Sequence, residues 1–455
     1  MKMRTLFFLL PLALALLTAC NSAPPKDANE QPFTDVVHPA WMKDAIIYEV
    51  NIRQFSTEGT FSAFAEHLPR LKELGVDILW LMPVHPIGVK NRKGGLGSYY
   101  SVLDYKGVNP EFGTMEDFKA MLSQVHDLGM KLIIDWVPNH SAWDNPLVDL
   151  HPDWYAKDST GKMFSPWDWT DVVQFDYSQR GLRDYMTEAM QFWLTEVGID
   201  GFRQDVAHQV PVDFWNELRP ALLEVKPDMM LLAEAENREL HQHAFDASYA
   251  WEFHHLMNEV AKGAKTVAVL DSYFERADST YNEQDIRMYF TSNHDENSWN
   301  GTEFERLGDA TEVMAVLSYL LPGMPLIYNG QEAGFNRRLL FFEKDSIDWV
   351  DHPFNELYHS LNRLKKKNQA LWNPGFGGTY ERINNGQDDK VITFIRQGDD
   401  NQIVAVFNLS AMNVTVTLKH KNLKGVYLNY FTGQEMTLQN GTFDLSPWEY
   451  QVFVK

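Results

Sequence analysis

From residue 46 onward the chain alternates two hydrophobic patterns. Short, almost continuous apolar runs give way to stretches in which apolar residues recur every three to four positions, the spacing of an amphipathic helix. The runs at 46–52, 78–82, 131–137, 201–205, 229–234, 245–249, 288–295 and 325–330 predict strands, the sixth being the weakest. Helical spacing predicts helices over 62–74, 114–128, 178–197, 212–225, 310–321 and 354–368. Gly75 and Gly129 mark two helix stops, and Thr114 is placed to cap a helix start. Eight strand-then-helix units predict a (β/α)8 TIM barrel of the α/β class rather than an open sheet.

Two stretches break the rhythm. Residues 139–177 are rich in Trp, Asp and Pro, with Trp143, Trp154, Trp167 and Trp169, and show no helical period. An irregular segment of that length inside a compact domain is functional or forms a small insertion. Here it reads as a short domain B inserted after the third strand. Beyond about residue 371 the runs 391–396, 402–408, 414–418, 426–430 and 450–454 alternate apolar and polar residues between Gly, Asn and Asp. That pattern predicts a C-terminal antiparallel β-sandwich domain over 371–455, leaving 41–370 to the barrel.

Several strand runs end abruptly in an acid: Asp135-Trp136-Val137-Pro138-Asn139-His140, Gly201-Phe202-Arg203-Gln204-Asp205, Ala233-Glu234 and Asn293-His294-Asp295. Catalytic groups of such barrels sit at the C-terminal ends of strands. Arg203 and Asp205, two apart on a strand, share a side of it, and a guanidinium beside a carboxylate is expected to keep that carboxylate ionised. Glu234 leaves an apolar run, so desolvation is expected to raise its pKa. One ionised and one protonated carboxyl at a common mouth suit glycoside hydrolysis. Metal binding by the same acids is the alternative.

Composition narrows the classes. The 455 residues carry a formal charge of −22, which disfavours a nucleic-acid partner. Lys365-Lys366-Lys367 reads as a helix C-terminus suited to the dipole, not as a basic stripe. Aromatics make up 13%, compatible with stacking on sugar rings or simply with an aromatic core. The loop with Gly94, Gly95 and Gly97 has no Gly-Lys-Ser/Thr and does not join a strand directly to a helix, so it is not read as a phosphate loop. His241, His243, His254 and His255 have no zinc-ligand spacing. At the N-terminus Lys2 and Arg4 precede an apolar run over 6–17 that ends Leu17-Thr18-Ala19-Cys20, and Cys20 is the only cysteine. Residues 1–19 resemble a bacterial lipoprotein signal, with Cys20 the lipidated residue and 20–40 a polar tether. The expected location is a bacterial envelope membrane, on its periplasmic or cell-surface side, with no obligate protein partner evident.

Taken together, the four motifs and Pro325-Leu326-Ile327-Tyr328-Asn329-Gly330-Gln331-Glu332 resemble the signatures of the α-amylase family of retaining glycoside hydrolases, family 13, across residues 41–455. The resemblance implies Asp205 as nucleophile, Glu234 as acid/base and Asp295 as transition-state stabiliser. It implies that His140, His294 and Tyr100 contact the same sugar, that Arg203 holds the nucleophile, and that Asp135 is structural. Family members often carry Lys-His where this chain has His208 and Gln209, so His208 is placed at the neighbouring subsites. Ala233 stands where the family has Gly, and Glu236 is the alternative acid. No cofactor is needed for the chemistry; many members bind a structural Ca2+ at the position of Asn139, which makes Asn139 the candidate ligand. The Leu445-Ser446-Pro447-Trp448-Glu449 ending is similar to that of the family's domain C. The expected substrate is an α-1,4-glucan: starch, maltodextrin or malto-oligosaccharide. Alternatives are a transglycosylase, α-glucosidase or trehalose-synthase-like member, and a surface protein that binds glucan without cleaving it.

Overall fold

The computed structural model describes residues 33–455; the expected signal segment, Cys20 and most of the expected tether lie outside the described residues. Ten short strands precede the C-terminal domain: β1 (Ile47–Val50), β2 (Ile78–Leu81), β3 (Lys131–Trp136), β4 (His140–Ala142), β5 (Val172–Gln174), β6 (Gly201–Gln204), β7 (Met230–Ala233), β8 (Ala247–Tyr249), β9 (Ile286–Tyr289) and β10 (Met324–Tyr328). Eight of them close into a barrel in the order β1-β10-β9-β8-β7-β6-β3-β2. All its pairings are parallel. Alternating side chains divide the core. Ile47, Ile78, Trp80, Ile133, Leu232 and Met288 fill the barrel interior, while Tyr48, Leu79, Ile134, Phe202 and Leu231 face the helices. Strands buried on both faces explain why the runs read as continuously apolar.

Gly201 fixes how closely β6 approaches β7. Its φ is +154°, and a Cβ there would lie 2.1 Å from the Met230 backbone oxygen. Only glycine lets the two backbones meet, and the strands leave side by side in the register Phe202↔Leu231, Arg203↔Leu232, Gln204↔Ala233.

Elsewhere the structure corrects the predicted elements. The helix expected over 62–74 is two, Phe61–Ala65 and Leu68–Leu74. Pro69 has no N–H for the next helical bond, so the ladder breaks ahead of it. The helix expected over 178–197 is α-helical over Arg180–Phe192 and ends in a wider π turn, Trp193–Val197, stopped by Gly198 at φ +96°. The seventh barrel strand, β9, ends at Tyr289, well before Asp295. Phe290 packs between the Tyr249 and Trp251 rings, and Asn293 Oδ1 accepts from the Glu296 N–H at 2.8 Å. These local side-chain bonds turn the chain away from the ladder. Two helices between β8 and β9, Trp251–Ala261 and Ala268–Thr280, have no counterpart among the predicted ones. Lys365-Lys366-Lys367 do close a helix, Pro353–Lys367, as expected, and Lys365 is buried there with its Nζ donating to the carbonyls of Gly323 and Leu371 at 3.1 and 2.6 Å.

Strands β4 and β5 form an antiparallel ribbon that anchors the inserted segment. The C-terminal strands are β11 (Thr379–Arg382), β12 (Val391–Gln397), β13 (Gln402–Asn408), β14 (Val414–Thr417), β15 (Val426–Asn429), β16 (Glu435–Thr437), β17 (Thr442–Leu445) and β18 (Tyr450–Val454). A six-stranded sheet, β11-β12-β13-β18-β15-β16, faces the β14-β17 pair across a core of Ile395, Val404, Val416, Leu418 and Phe443. Residues 33–46 lie across the end of the barrel where strands begin. Trp41 Nε1 donates to the Asp228 carbonyl at 3.0 Å, and His38 meets Asp246 Oδ1 at 3.1 Å and the Gln284 carbonyl at 2.9 Å. Among the described residues no helix is long and apolar enough to cross a membrane.

Candidate active site

At the opposite end of the barrel, one fully buried guanidinium organises three carboxylates. Arg203 Nη1 lies 2.8 Å from Asp135 Oδ1 and 3.0 Å from Asp205 Oδ1, while Nη2 lies 2.9 Å from Glu234 Oε2. Its Nε donates to the Tyr249 hydroxyl at 3.1 Å, and Trp80 lies 5.2 Å away, ring centroid to Cζ. Sharing one cation among three acids changes the electrostatics expected from Arg203 and Asp205 alone. Burial raises the Asp205 pKa well above the ordinary carboxylate range. Arg203 opposes that rise, while Glu234, Asp135 and Asp295 add to it. Asp135, pushed up by burial against the pull of Arg203 and His294, reaches about 6. Glu234 differs from the expected apolar setting. Its side chain is 14% exposed, and Oε2 accepts from the Val206 N–H at 2.7 Å. Val206 has φ +39°, a left-handed conformation that a β-branched residue adopts only under constraint. That strain aims its N–H at Glu234.

A second layer stands behind this cluster. His294 Nδ1 hydrogen-bonds Glu49 on β1, and Nε2 meets the Tyr100 hydroxyl at 2.7 Å and Asp295 Oδ2 at 3.4 Å. Burial works against charging His294, yet the carboxylates of Asp295 and Glu49 outweigh it and raise its pKa to about 9. Tyr100 also donates to Asp135 Oδ2 at 3.0 Å, and its ring stacks on His294 at 5.5 Å. His140 is held the other way: burial lowers its pKa to about 3. Its Nδ1 accepts from Asn139 at 3.2 Å, which puts the proton of the neutral ring on Nε2.

The cavity above these groups measures about 470 Å3. Asp205, Glu234, Asp295, Tyr100, His140 and His294 all line it. One wall carries Trp169, 5.3 Å from the His140 ring. The other carries Trp299, half exposed and packed on Phe341 and Phe342 at 5.1 and 5.8 Å. Trp299, Phe341 and Phe342 gave no signal in the sequence, because Trp299 sits in a single helical turn, Glu296–Asn300, and the two phenylalanines in a loop, all too short for periodicity. Glu49 had one: an acid inside an otherwise apolar barrel strand must find a partner.

Other expected residues are not brought together. His208 is exposed on the turn Ala207–Gln209 and lies outside the residues lining the cavity. Glu236 pairs with Arg287 at 2.5 Å and accepts from the Glu252 N–H, away from the cleft. Asn139 is 2% exposed; its Oδ1 accepts from the Gln174 amide at 3.1 Å and its amide nitrogen faces His140. Among the described residues no group of three or more His, Cys, Asp or Glu side chains is placed to hold a metal ion.

Comparison with known proteins agrees with this geometry. Residues 31–376 match the family described as "Alpha amylase, catalytic domain", and residues 380–452 match "Maltogenic Amylase, C-terminal domain". A noncanonic maltogenic α-amylase from Thermotoga neapolitana superimposes with a TM-score of 0.83 at 29% identity, over 91% of this chain and 99% of that one. An α-amylase from Lactobacillus plantarum gives 0.81 at 29% identity, with the same coverage. Among curated relatives, the α-amylase MalA of Haloarcula japonica is 27% identical over 399 residues; the alignment takes in 84% of this chain and 57% of that protein.

Proposed function

The chain belongs to the α-amylase catalytic-domain family, and from that premise we propose that it hydrolyses α-1,4-glucosidic bonds of malto-oligosaccharides, maltodextrins or starch with retention at the anomeric carbon. The observation that carries the reading is the pairing of Asp205 and Glu234 on different nitrogens of Arg203. The register Gln204↔Ala233 makes them successive neighbours at the ends of adjacent strands. Two carboxyl groups held by one guanidinium form the close pair that a retaining mechanism uses.

Asp205 Oδ1 is held by Arg203, leaving Oδ2 to attack the anomeric carbon. On Glu234, the Val206 N–H and Arg203 both address Oε2, so the proton sits on Oε1 and passes to the leaving glycosidic oxygen. The same carboxylate then takes a proton from the water that opens the glycosyl-enzyme. Asp295, with the charged His294 beside it, grips sugar hydroxyls, and His140 donates from Nε2. The name of the T. neapolitana relative favours short maltose-type products.

A time course on maltoheptaose, run beside Asp205→Asn, tests the reading. Shorter oligosaccharides from the wild type, and a loss of roughly 10^4-fold in the variant, support it. Products longer than the substrate point to transfer. Binding without turnover in either protein refutes hydrolysis.

We further propose that Cys20 carries a lipid that holds the enzyme at a bacterial envelope membrane, on the strength of the Leu17-Thr18-Ala19-Cys20 run. Detergent-phase partitioning that disappears in Cys20→Ala supports this; partitioning unchanged by the substitution rejects it.

A further inference from the structure

A second depression, of about 520 Å3, lies where the C-terminal domain meets the barrel wall. Its floor and rim come from the turn after β15, the segment leading into β18, and the helix Thr311–Leu320. That helix follows β9, so its first turn, with Glu312, stands at the same end of the barrel as the active-site mouth.

The chemistry of the depression is specific in kind. Phe431 is 38% exposed and meets the Tyr450 ring edge-on at 5.3 Å. Trp448 has φ +59° and is only partly buried. Among the described residues no other ring covers Trp448 and no acceptor meets its indole N–H. Tyr450 donates to Glu312 Oε1 at 2.7 Å, leaving Oε2 free to accept. Asp309, exposed on the rim, has no hydrogen-bond or ion-pair partner among the described residues. The polar groups are thus three carboxylates (Asp309, Glu312 and Glu449, the last bonded to the Ser446 N–H and the Gln451 amide), two amides, two hydroxyls and an indole N–H, with no lysine or arginine in the lining. An anionic ligand is repelled. Flat aromatic faces flanked by hydrogen-bond acceptors suit a neutral, hydroxyl-rich ring.

We propose that this depression is a second, non-catalytic carbohydrate-binding site that holds a remote stretch of the same glucan chain whose end enters the cleft. The proposal deepens the hydrolase reading and rests on it for the identity of the sugar. Occupancy would keep a long or granular substrate beside the mouth, while a short oligosaccharide reaches the cleft without it.

The test uses the soluble chain from residue 21, with Phe431→Ala and Trp448→Gly; glycine adopts φ +59° without strain, so the indole is removed while the turn is kept. Adsorption to granular starch and retardation in gels containing soluble starch are measured, together with turnover of maltotetraose. The expected result is adsorption weakened about tenfold in each variant, with maltotetraose turnover unchanged. Undiminished adsorption in both variants overturns the proposal, as does a wild type that cleaves maltotetraose but does not adsorb. A wild type that adsorbs through Phe431 yet cleaves no malto-oligosaccharide keeps the site and overturns the hydrolase reading instead.

Discussion

Two buried arginine–aspartate pairs sit at opposite ends of this barrel, and they behave in opposite ways. At the closed end Arg219 grips Asp246 with both terminal nitrogens, at 2.9 and 3.0 Å. The Leu231 N–H at 2.8 Å and His38 complete the carboxylate's bonds. Burial tends to raise the Asp246 pKa, but Arg219 and these bonds hold it below the ordinary value. At the mouth Arg203 is shared by three acids, and Asp205 is pushed up. Residue types and depth of burial are alike. What differs is the number of carboxylates per cation and how fully each oxygen is bonded. A saturated one-to-one pair is inert, whereas an acid-rich cluster retains a proton that can be moved.

Arg203→Gln gives the largest effect expected on this contrast. Removing the shared cation should lower kcat on maltoheptaose by roughly 10^3-fold, measured against protein whose folding is checked by circular dichroism. Turnover within a few-fold of wild type would break the contrast. Asp246→Asn should act on stability alone. Leaving Arg219 buried without its anion destabilises by about 3–5 kcal/mol, read from urea unfolding, with turnover per folded molecule unchanged. The stability from Asp246 is present above the unfolded carboxylate pKa and is lost as pH falls through the lower folded value. Glu49→Gln should leave the fold intact and move a pH limb. His294 is raised to about 9, so in the folded enzyme it is charged at neutral pH and loses that charge as pH rises through about 9. Without the Glu49 carboxylate that loss should occur at lower pH, shifting the alkaline limb of kcat/KM acidward. An unmoved limb would separate Glu49 from His294. The smallest effect belongs to His208→Ala: exposed and outside the cleft, it should change stability by no more than about 0.5 kcal/mol and leave maltotetraose turnover as it was.

The same contrast marks how far the sequence could be read. Asp205 and Glu234 were legible because each closes an apolar run, and a barrel strand delivers its last side chain to the mouth. Asp295 was legible by its motif but not by its element, since local bonds from Asn293 end the strand early. His208 lies outside the lining of the cavity because the left-handed turn at Val206 redirects the chain after Asp205, which closeness in sequence does not report. The aromatic walls were silent: the short helical turn with Trp299 and the loop with Phe341 meet only through tertiary packing. Asn139 was assigned by its neighbours in the motif, whereas its partner, Gln174, lies across the β4-β5 ribbon. Strand ends report chemistry, and contacts between loops do not.

The strip of chain over residues 33–46 fastens to the heel of the barrel through Thr34, His38 and Trp41. Any load hung from that strip, whether a bead, a fusion partner or a surface, pulls on the face remote from the cleft. A handle attached at this end should therefore leave the opening unobstructed and long substrates free to approach.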